Sequence, residues 1–396
     1  TMEKIIMHID VNSAFLSWTA VDLLKNGYKK DIRCECSVIG GDESKRKGIV
    51  LAKSILAKNK GINTAETLYQ ARSKCRNLKI YRPNYALYDK MSHAFFTLLR
   101  KYTNDIEILS IDECFLDYGK VKKMYGDEVI FANKLKNEIY KTLGFTVNIG
   151  IANNKLCAKM ASDFEKPDKT HTLYQREIAQ KMWPLPVSAL FTCGHSSAET
   201  LHKLGILTIG DLAKTDPAIL EAHLKSHGRC LWQYANGIDD STVVLAPSKA
   251  KGIGNSTTLS SDATTKEEAC KVLLSLCESV GRRLRASHQL AGQICTEIRY
   301  SDFRNVSHQM PIDIPTASVN LLYEDACALF DELWDSTPIR LLGIRTSKLV
   351  PEDEPVQLSL FDFPAPRSEK QQKLDAALDN IRAKYGKDAI KRGRFL

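Results

Sequence analysis

The feature that most constrains this sequence is a pair of adjacent carboxylates, Asp112 and Glu113, set between two short apolar stretches. Alternating apolar residues on both sides predict two strands with the acidic pair at their bend. A further apolar strand near the N-terminus ends in a third carboxylate, Asp10. Carboxylates on apolar strands need a compensating charge, and Mg²⁺, which prefers hard oxygen ligands, can supply it. An isolated acidic pair at a hairpin is more often part of an exposed turn than of a metal site. Other motifs in the sequence are therefore needed to choose between the two.

Composition narrows the class of protein. The chain has 396 residues and a formal net charge of +9, which predicts two to four domains and favours a polyanionic partner. Its 11 cysteines are scattered without a CxxC pair, a pattern typical of a reducing compartment rather than a disulfide framework or zinc site. No apolar run reaches the roughly 18 residues of a membrane span, and no signal peptide is evident. We therefore expect a soluble, cytoplasmic protein that does not enter a membrane.

The order of elements indicates an α+β protein of several domains. Around residues 1–160, the pattern reads as strand, helix, acidic hairpin, helix and strand, which is close to a split βαβ sheet. A small basic unit at 28–80 interrupts it. Residues 173–240 are predicted to be mostly helical, and 252–350 to mix helices with strands.

Two further segments separate or follow these units. Residues 241–251 have the composition of a linker. Residues 351–368 are rich in proline and acidic residues and are expected to be disordered. A helix is predicted to resume at 369–385.

Three segments of the sequence resemble the Y-family (DinB/UmuC-like) translesion DNA polymerases. Within that family the resemblance is closest to bacterial members of the DNA polymerase IV type. The resemblance spans about residues 2–350. It rests on Asp10-Val11-Asn12-Ser13-Ala14-Phe15, on Ser110-Ile111-Asp112-Glu113, and on the ungapped segment from Gly150 to Pro167, which reads GIANNKLCAKMASDFEKP.

The resemblance implies a right-hand polymerase architecture with a split βαβ palm, small fingers, a helical thumb and an α/β little-finger domain that holds DNA. The expected boundaries are 1–24 and 82–172 for the palm, 25–81 for the fingers, 173–240 for the thumb, 241–251 for the linker, 252–350 for the little finger and 351–396 for the tail.

The resemblance also implies the chemistry, which is attack of a primer 3′-hydroxyl on the α-phosphate of a dNTP. Asp10, Asp112 and Glu113 are the expected catalytic residues. Together with the Val11 carbonyl they would hold two Mg²⁺ ions, which Mn²⁺ could replace, and two ions of this kind stabilise both the attacking and the leaving oxygen. Some relatives have Asp in place of Asn12, which is not needed as a ligand.

Nucleotide contacts follow from the same resemblance. Phe15 occupies the position of the steric gate, an aromatic ring that leaves no room for a 2′-hydroxyl. Ser13 and Ala14 would offer backbone N–H groups to the triphosphate, and Lys58 and Lys166 would contact phosphate. The chain departs from many relatives here, because they have Tyr-x-x-Arg where it has Ile55-Leu56-Ala57-Lys58.

The DNA contacts expected in the thumb come from residues 191–206, which resemble a helix-hairpin-helix. Such a hairpin presents backbone N–H groups to a DNA phosphate without reading sequence, and Gly194 and Ser196 are the residues expected there. Thr192 replaces a glycine that relatives often have at one end of the hairpin. In the little finger, Arg282 and Arg299 are expected to hold the duplex backbone.

The tail contains a peptide that resembles the bacterial sliding-clamp-binding motif. Apolar side chains in a segment without a core usually mark a partner site. The residues expected to bind the clamp are Gln357, Leu358, Leu360 and Phe361.

The predicted function is template-directed, low-fidelity synthesis past DNA damage, without proofreading and by a monomer that works near the nucleoid. Its partners would be primer-template DNA, dNTP and the sliding clamp. Two other functions stay open. A nucleotide cyclase could share the paired acids, and a DNA-binding accessory protein could retain this fold with a dead site.

Overall fold

The computed structural model describes residues 4–246, 249–353, 369–386, 388–390 and 393. The strands are β1 Ile6–Val11, β2 Ser37–Gly40, β3 Val50–Lys53, β4 Lys79–Tyr81, β5 Ile106–Ile108, β6 Glu113–Asp117, β7 Val147–Ala152, β8 Thr170–Thr172, β9 Gly252–Ala263, β10 Gln289–Tyr300, β11 Asn305–Thr316 and β12 Ile339–Pro351.

The same described residues form 15 α-helices. They are α1 Ala14–Lys25, α2 Ile55–Asn59, α3 Leu68–Lys74, α4 Tyr85–Arg100, α5 Lys122–Tyr125, α6 Glu128–Leu143, α7 Lys155–Ser162, α8 Ile178–Lys181, α9 His195–Lys203, α10 Ile209–Lys214, α11 Pro217–Leu224, α12 Ser226–Ala235, α13 Lys266–Ala286, α14 Val319–Leu333 and α15 Glu369–Tyr385. The predicted α+β class is confirmed. The order β1, α4, β5–β6, α6 and β7 follows the expected split βαβ pattern.

The chain divides into two compact units. The first comprises Thr1–Gly41 with Ile49–Pro247, and the second comprises Asp42–Gly48 with Ser248–Leu396. The finer division of the first unit into palm, fingers and thumb stays a prediction.

The main sheet of the first unit has the strand order β5-β6-β1-β7-β8. Strand β1 lies at its centre and pairs antiparallel with both β6 and β7. A core that includes residues of β1, β7, α1, α4 and α6 covers one face of this sheet. Helix α7 contributes to a second core, together with the helices of residues 178–235. The central position of β1 explains its apolar sequence, because a strand paired on both sides and packed on both faces needs apolar side chains.

A glycine decides how closely α7 approaches this sheet. A Cβ at Gly150 of β7 would collide with the backbone of Ala158 and Ser162 in α7. Because glycine has no Cβ, α7 can lie directly against β7. That close packing brings the side chains of α7 toward β1.

A smaller sheet of the first unit has the order β3-β2-β4 and packs with α2 and α3 around its own small core. It lies within the basic unit expected at 28–80. The sequence pattern missed three of its elements, β2, β4 and α2, because strands and helices of three to five residues are too short to show a period.

The second unit contains an antiparallel sheet in the order β11-β10-β12-β9. Helices α13 and α14 cover one face, where Ile294 and Ile298 of β10 enter the core. Helix α15 also belongs to this unit and lies where the sequence predicts a helix to resume. Asp379 of α15 is 2.7 Å from Arg285 of α13, and Arg382 is 3.2 Å from Glu278. Ion pairs thus dock α15 onto α13.

Candidate active site

The central strand pair brings the three predicted carboxylates to one edge of the main sheet. Asp10 of β1 lies directly opposite Glu113 of β6 in the antiparallel register. Asp112 immediately precedes β6, and its carbonyl oxygen accepts a hydrogen bond from the Val11 N–H at 3.0 Å. The acidic bend and the end of β1 therefore form one structural unit.

Two cationic or polar side chains hold Glu113. Its Oε2 lies 3.0 Å from His8 Nε2 and 2.6 Å from Lys159 Nζ. The hydrogen bond from His8 and the Lys159 ammonium together lower the pKa of Glu113 to about 2. Hydrogen bonds and positive charge favour the ionised carboxylate, so Glu113 is an anion throughout the neutral range.

Asp10 is held by Lys166. The two side chains form an ion pair, and Lys166 Nζ also lies 2.8 Å from Asp163. Burial would lower the pKa of Lys166, but attraction to Asp10 and Asp163 outweighs it and raises that pKa. The Lys166 ammonium is therefore charged and sits beside a predicted catalytic carboxylate rather than at an isolated surface position.

The Asp112 carboxylate is held by a hydroxyl group, not by a lysine ammonium like those that contact the other two carboxylates. The Ser110 hydroxyl donates to Asp112 Oδ1 at 2.5 Å. One residue earlier than Asp112, the Ile111 carbonyl accepts a hydrogen bond from Ser92 of α4, also at 2.5 Å. These two serines hold the bend between β5 and β6, so the direction of Asp112 depends on α4 as well as on the hairpin.

The donor chemistry of this edge fits a hard divalent cation. The contacts above use one oxygen of each carboxylate, namely Asp10 Oδ2, Asp112 Oδ1 and Glu113 Oε2. Three carboxylates are the ligands that Mg²⁺ and Mn²⁺ prefer. Within the described residues, however, no group of three or more acidic, histidine or cysteine side chains already has metal-holding geometry. Lys159 and Lys166 offset part of the acidic charge instead.

Sequence reasoning missed the residues that support Glu113. His8 is almost fully buried, and its Nδ1 lies 2.7 Å from Ser162 Oγ. The Ser162 hydroxyl in turn donates to the Lys159 carbonyl at 2.7 Å. A signal was present, because residues two apart on a strand face the same side, which puts His8 beside Asp10. The α7 partners depend on the approach that Gly150 permits.

The amide of Asn12 has a structural role. Its Nδ2 donates to Asn148 Oδ1 at 3.1 Å, and its Oδ1 accepts from the Thr146 hydroxyl and the Asp168 N–H, each at 3.0 Å. A carboxylate could not donate to Asn148. The asparagine amide is therefore used as both donor and acceptor.

Phe15 stands in the first turn of α1 within an aromatic group. Its ring stacks on Tyr88 of α4 with centroids 4.3 Å apart and planes 8° apart. The Tyr85 ring meets Phe15 edge-on at 6.0 Å. The Tyr88 hydroxyl is 3.0 Å from that of Thr19. Because α4 holds it in this way, Phe15 presents a fixed, half-buried ring.

The N-terminus of α1 is not closed by a side chain. Ser13 is its N-cap residue with φ 44, and its side chain makes no capping hydrogen bond. The Ser13 hydroxyl instead donates to the Lys53 carbonyl at 3.0 Å. Uncapped N–H groups at a helix start are suited to an anion, which supports the expected roles of Ser13 and Ala14.

Lys53 of β3 and Lys58 of α2 are close enough to interact electrostatically. Lys58 is in α2, whose first turn also contains the exposed Ile55. Burial lowers the pKa of Lys53, and the charge of Lys58 lowers it further. Lys53 was not predicted as a site residue. Through the Ser13 contact it connects this basic pair to the N-terminus of α1.

The residues predicted for the thumb hairpin lie at the start of α9. Gly194 is the N-cap residue of α9, Ser196 is exposed in its first turn, and α10 follows after the turn at Gly205. Thr192 adopts a φ of 68, the conformation that glycine favours. The tight turn therefore forms without glycine, at a cost in backbone strain.

Arg282 and Arg299 lie in different layers of the second unit. Arg282 is exposed on α13. Arg299 of β10 is two residues from Glu297 and one from the core residue Ile298, so it faces away from the helices. Its Nε donates to Asn305 at 2.8 Å. The two predicted DNA contacts therefore lie in different layers of this unit, and both remain predictions.

The predicted clamp-binding residues Gln357, Leu358, Leu360 and Phe361 lie outside the described residues. None of the described helices is both long and apolar enough to cross a membrane.

Comparison with known proteins identifies relatives over the full length. Residues 9–163 match the impB/mucB/samB family, and residues 250–360 match the C-terminal domain of that family. The chain is 49% identical to a DNA polymerase IV of Clostridium acetobutylicum over 398 aligned residues, covering 100% of this chain and 99% of the relative. It is 34% identical to DNA polymerase IV 1 of Bacillus subtilis, covering 99% and 93% respectively.

Among solved structures, a chimeric Y-family DNA polymerase has the same fold with a TM-score of 0.74. The match covers 88% of this chain and 99% of that one at 21% sequence identity.

Proposed function

The chain belongs to the impB/mucB/samB family of Y-family DNA polymerases, and from this we infer that it is a translesion DNA polymerase. It is an enzyme that extends a primer with dNTPs on a DNA template. The observation that carries the inference is the pairing of Asp10 with Glu113 beside Asp112, at the edge of a sheet inside the matched segment. We propose that synthesis is of low fidelity and lacks proofreading.

The carboxylates Asp10, Asp112 and Glu113, with the Val11 carbonyl, are the proposed ligands of two Mg²⁺ ions, for which Mn²⁺ could substitute. When bound, such ions supply Lewis-acid stabilisation of the attacking and leaving oxygens. The contribution of the chain itself is positioning. The main sheet holds the acids in register, and His8 and Lys159 keep Glu113 ionised.

Lys166 is the proposed link between the carboxylates and the incoming triphosphate. Its ammonium already contacts Asp10. If a metal ion bound Asp10, the Lys166 ammonium would be released from this ion pair and could contact phosphate oxygens. Ser13, Ala14 and Lys58 complete the proposed triphosphate contacts, and the Phe15 ring would exclude a ribose 2′-hydroxyl.

DNA would be held without reading its sequence. Gly194 and Ser196 of the thumb are proposed to meet a backbone phosphate, as helix-hairpin-helix N–H groups do. In the second unit, Arg282 of α13 and Arg299 of β10 are the proposed backbone contacts, and Arg299 lies on the face of the sheet away from the helices. Arg345 of β12 supports this surface, because it lies opposite Cys295 on the same face as Arg299.

The deciding experiment is primer extension with Mg²⁺ and all four dNTPs on an undamaged template. The double variant Asp112→Ala/Glu113→Ala is expected to lose extension by at least about 10³-fold, since it removes the charge stabilisation of the reaction. Asp117→Asn, on the same strand β6 but at its other end, is the matched control.

Two results would contradict the proposal. Extension by the double variant equal to that of wild type would remove the acids from the reaction. A folded wild type that binds primer-template DNA but does not extend it would favour the accessory-protein function. Conversion of a nucleoside triphosphate to a cyclic product without primer would instead support the cyclase.

The sliding clamp is the proposed partner of Gln357, Leu358, Leu360 and Phe361. We further propose that the polymerase is a monomer and acts at the nucleoid in the cytoplasm. Equilibrium sedimentation at micromolar concentration tests the first of these, because a dimer would double the measured mass.

A further inference from the structure

Two thiols meet on the helical layer of the second unit, outside the site described above. Cys270 of α13 and Cys327 of α14 have their sulfur atoms 3.7 Å apart, with the Cys327 S–H donating to Cys270 Sγ. Both side chains are intermediate in exposure. A disulfide needs an S–S distance of about 2.05 Å. The two sulfurs must therefore approach by less than about 2 Å for a disulfide to form.

The surroundings distinguish the two thiols. Lys266, one turn before Cys270, has its ammonium 2.7 Å from Asp331, one turn after Cys327. This ammonium is close enough to interact electrostatically with both sulfurs. Burial raises the pKa of Cys327 to about 12, so this thiol stays protonated and acts as the donor. The Cys327 S–H points at Cys270 Sγ and the Lys266 ammonium lies near both sulfurs, so Cys270 is the sulfur placed to react first.

We propose that Cys270 and Cys327 form an oxidisable dithiol that a peroxide converts to an intramolecular disulfide. The Cys270 thiolate attacks one oxygen of hydrogen peroxide, the O–O bond breaks, and Cys270 becomes a sulfenic acid while the departing hydroxide takes a proton to give water. The Cys327 sulfur then attacks Cys270 Sγ, losing its proton, and a second water leaves. In total, two thiols and one peroxide give one disulfide and two waters.

The reaction has a structural consequence within the second unit. The disulfide would join α13 to α14 across 57 positions of sequence. A cross-link of this kind stabilises mainly by restricting the unfolded chain. The second unit should therefore unfold at a higher temperature after oxidation and return to its original midpoint after reduction.

The test uses the reduced full-length chain, hydrogen peroxide, alkylation of the remaining thiols and peptide mapping without reductant. Wild type should give a cross-linked peptide pair containing Cys270 and Cys327, lighter by two hydrogen atoms and separable with dithiothreitol. Cys270→Ser and Cys327→Ser should not give it, whereas Cys230→Ser, a half-exposed thiol of α12, should. Mapping is needed because Cys36 and Cys75 also interact.

A sulfenic-acid probe, dimedone, tests the order of steps. In Cys327→Ser, dimedone should label Cys270, since no second thiol resolves the sulfenic acid. Faster labelling of Cys327 in Cys270→Ser would overturn the proposed order. The proposal as a whole fails if the exposed thiol of Cys34 is fully oxidised while the Cys270–Cys327 cross-link is still absent.

Discussion

The residues around the acidic strand ends form a network of hydrogen bonds and ion pairs. Glu113 accepts both of its close contacts, from His8 and Lys159, on the single oxygen Oε2. This leaves its other oxygen for a different ligand and keeps the group ionised, because its pKa is lowered to about 2. Residues that orient a ligand in this way commonly change metal affinity or activity by 10- to 100-fold when removed.

We predict such an effect for His8→Phe. Phenylalanine preserves the ring that packs on Phe115 at 5.0 Å, but it cannot bond to Glu113 or Ser162. The affinity of the folded protein for Mn²⁺ should fall by about 10-fold or more, as measured by calorimetry without DNA or dNTP. His93→Phe is the control, because His93 is exposed on α4. Equal Mn²⁺ affinity in His8→Phe and wild type would show that Glu113 does not need this support.

A second prediction at this scale concerns the sugar of the nucleotide. Phe15→Ala should reduce the preference for dNTP over rNTP by roughly 10- to 100-fold, because discrimination by one group in a pocket amounts to about 1–3 kcal/mol. The ratio of the two single-nucleotide extension rates is the measurement, since it does not depend on the folded fraction. Tyr69→Ala, a highly exposed aromatic residue of α3, should leave the ratio unchanged. An unchanged ratio in Phe15→Ala would remove Phe15 from the role of gate.

At the level of elements, the turn before α9 forms under strain. Thr192 has a φ of 68, where a β-branched residue is disfavoured. Such left-handed positions cost on the order of 1–3 kcal/mol for residues other than glycine. Helix α9 is held against the core by packing, because Cys193, Ala198 and Leu201 are buried there.

We predict that Thr192→Gly stabilises the protein by about 1 kcal/mol, as relief of strain outweighs the added freedom of the unfolded chain. Urea unfolding monitored by circular dichroism measures it. Gly194→Ala is the control, because Gly194 has a φ of -71 and a Cβ there would meet nothing within 4 Å. It should change stability by no more than about 1 kcal/mol. Destabilisation by Thr192→Gly would show that the threonine side chain contributes more than its strain costs.

At the scale of the whole molecule, the predicted clamp peptide lies between two anchored elements. Strand β12 precedes it, and α15 follows it and is docked onto α13 through Arg285 and Arg382. Both belong to the second unit. A partner that binds residues 357–361 would therefore contact a segment whose two flanking elements both belong to the second unit.

We predict that Leu360→Ala/Phe361→Ala abolishes stimulation of primer extension by the sliding clamp, while synthesis without the clamp is unchanged. The apolar anchors of a peptide motif carry most of its binding energy. Product lengths on a long primed template, with and without clamp, measure the effect. Ser359→Ala, within the same peptide, should retain stimulation. Stimulation of the double variant to the same extent as wild type would remove this peptide from the clamp contact.

Much of this protein follows from local sequence. The alternation around Asp10 and Asp112 predicted the strands, and the order of patterns around residues 1–160 predicted the helices on either side of the acidic hairpin. Such patterns are legible because a buried strand or helix repeats its apolar side chains at a regular spacing. The quoted motifs extended this to the family, which the comparisons confirm.

Only the tertiary structure decided which side chains meet across distant parts of the chain. Lys159 and Ser162 reach β1 because Gly150 lets α7 approach, Lys53 joins the N-terminus of α1 through Ser13, and Arg282 and Arg299 separate into different layers. These relations depend on packing between elements far apart in sequence. A local period fixes which face of an element is apolar, but the partners of its polar side chains are set only when those faces pack together.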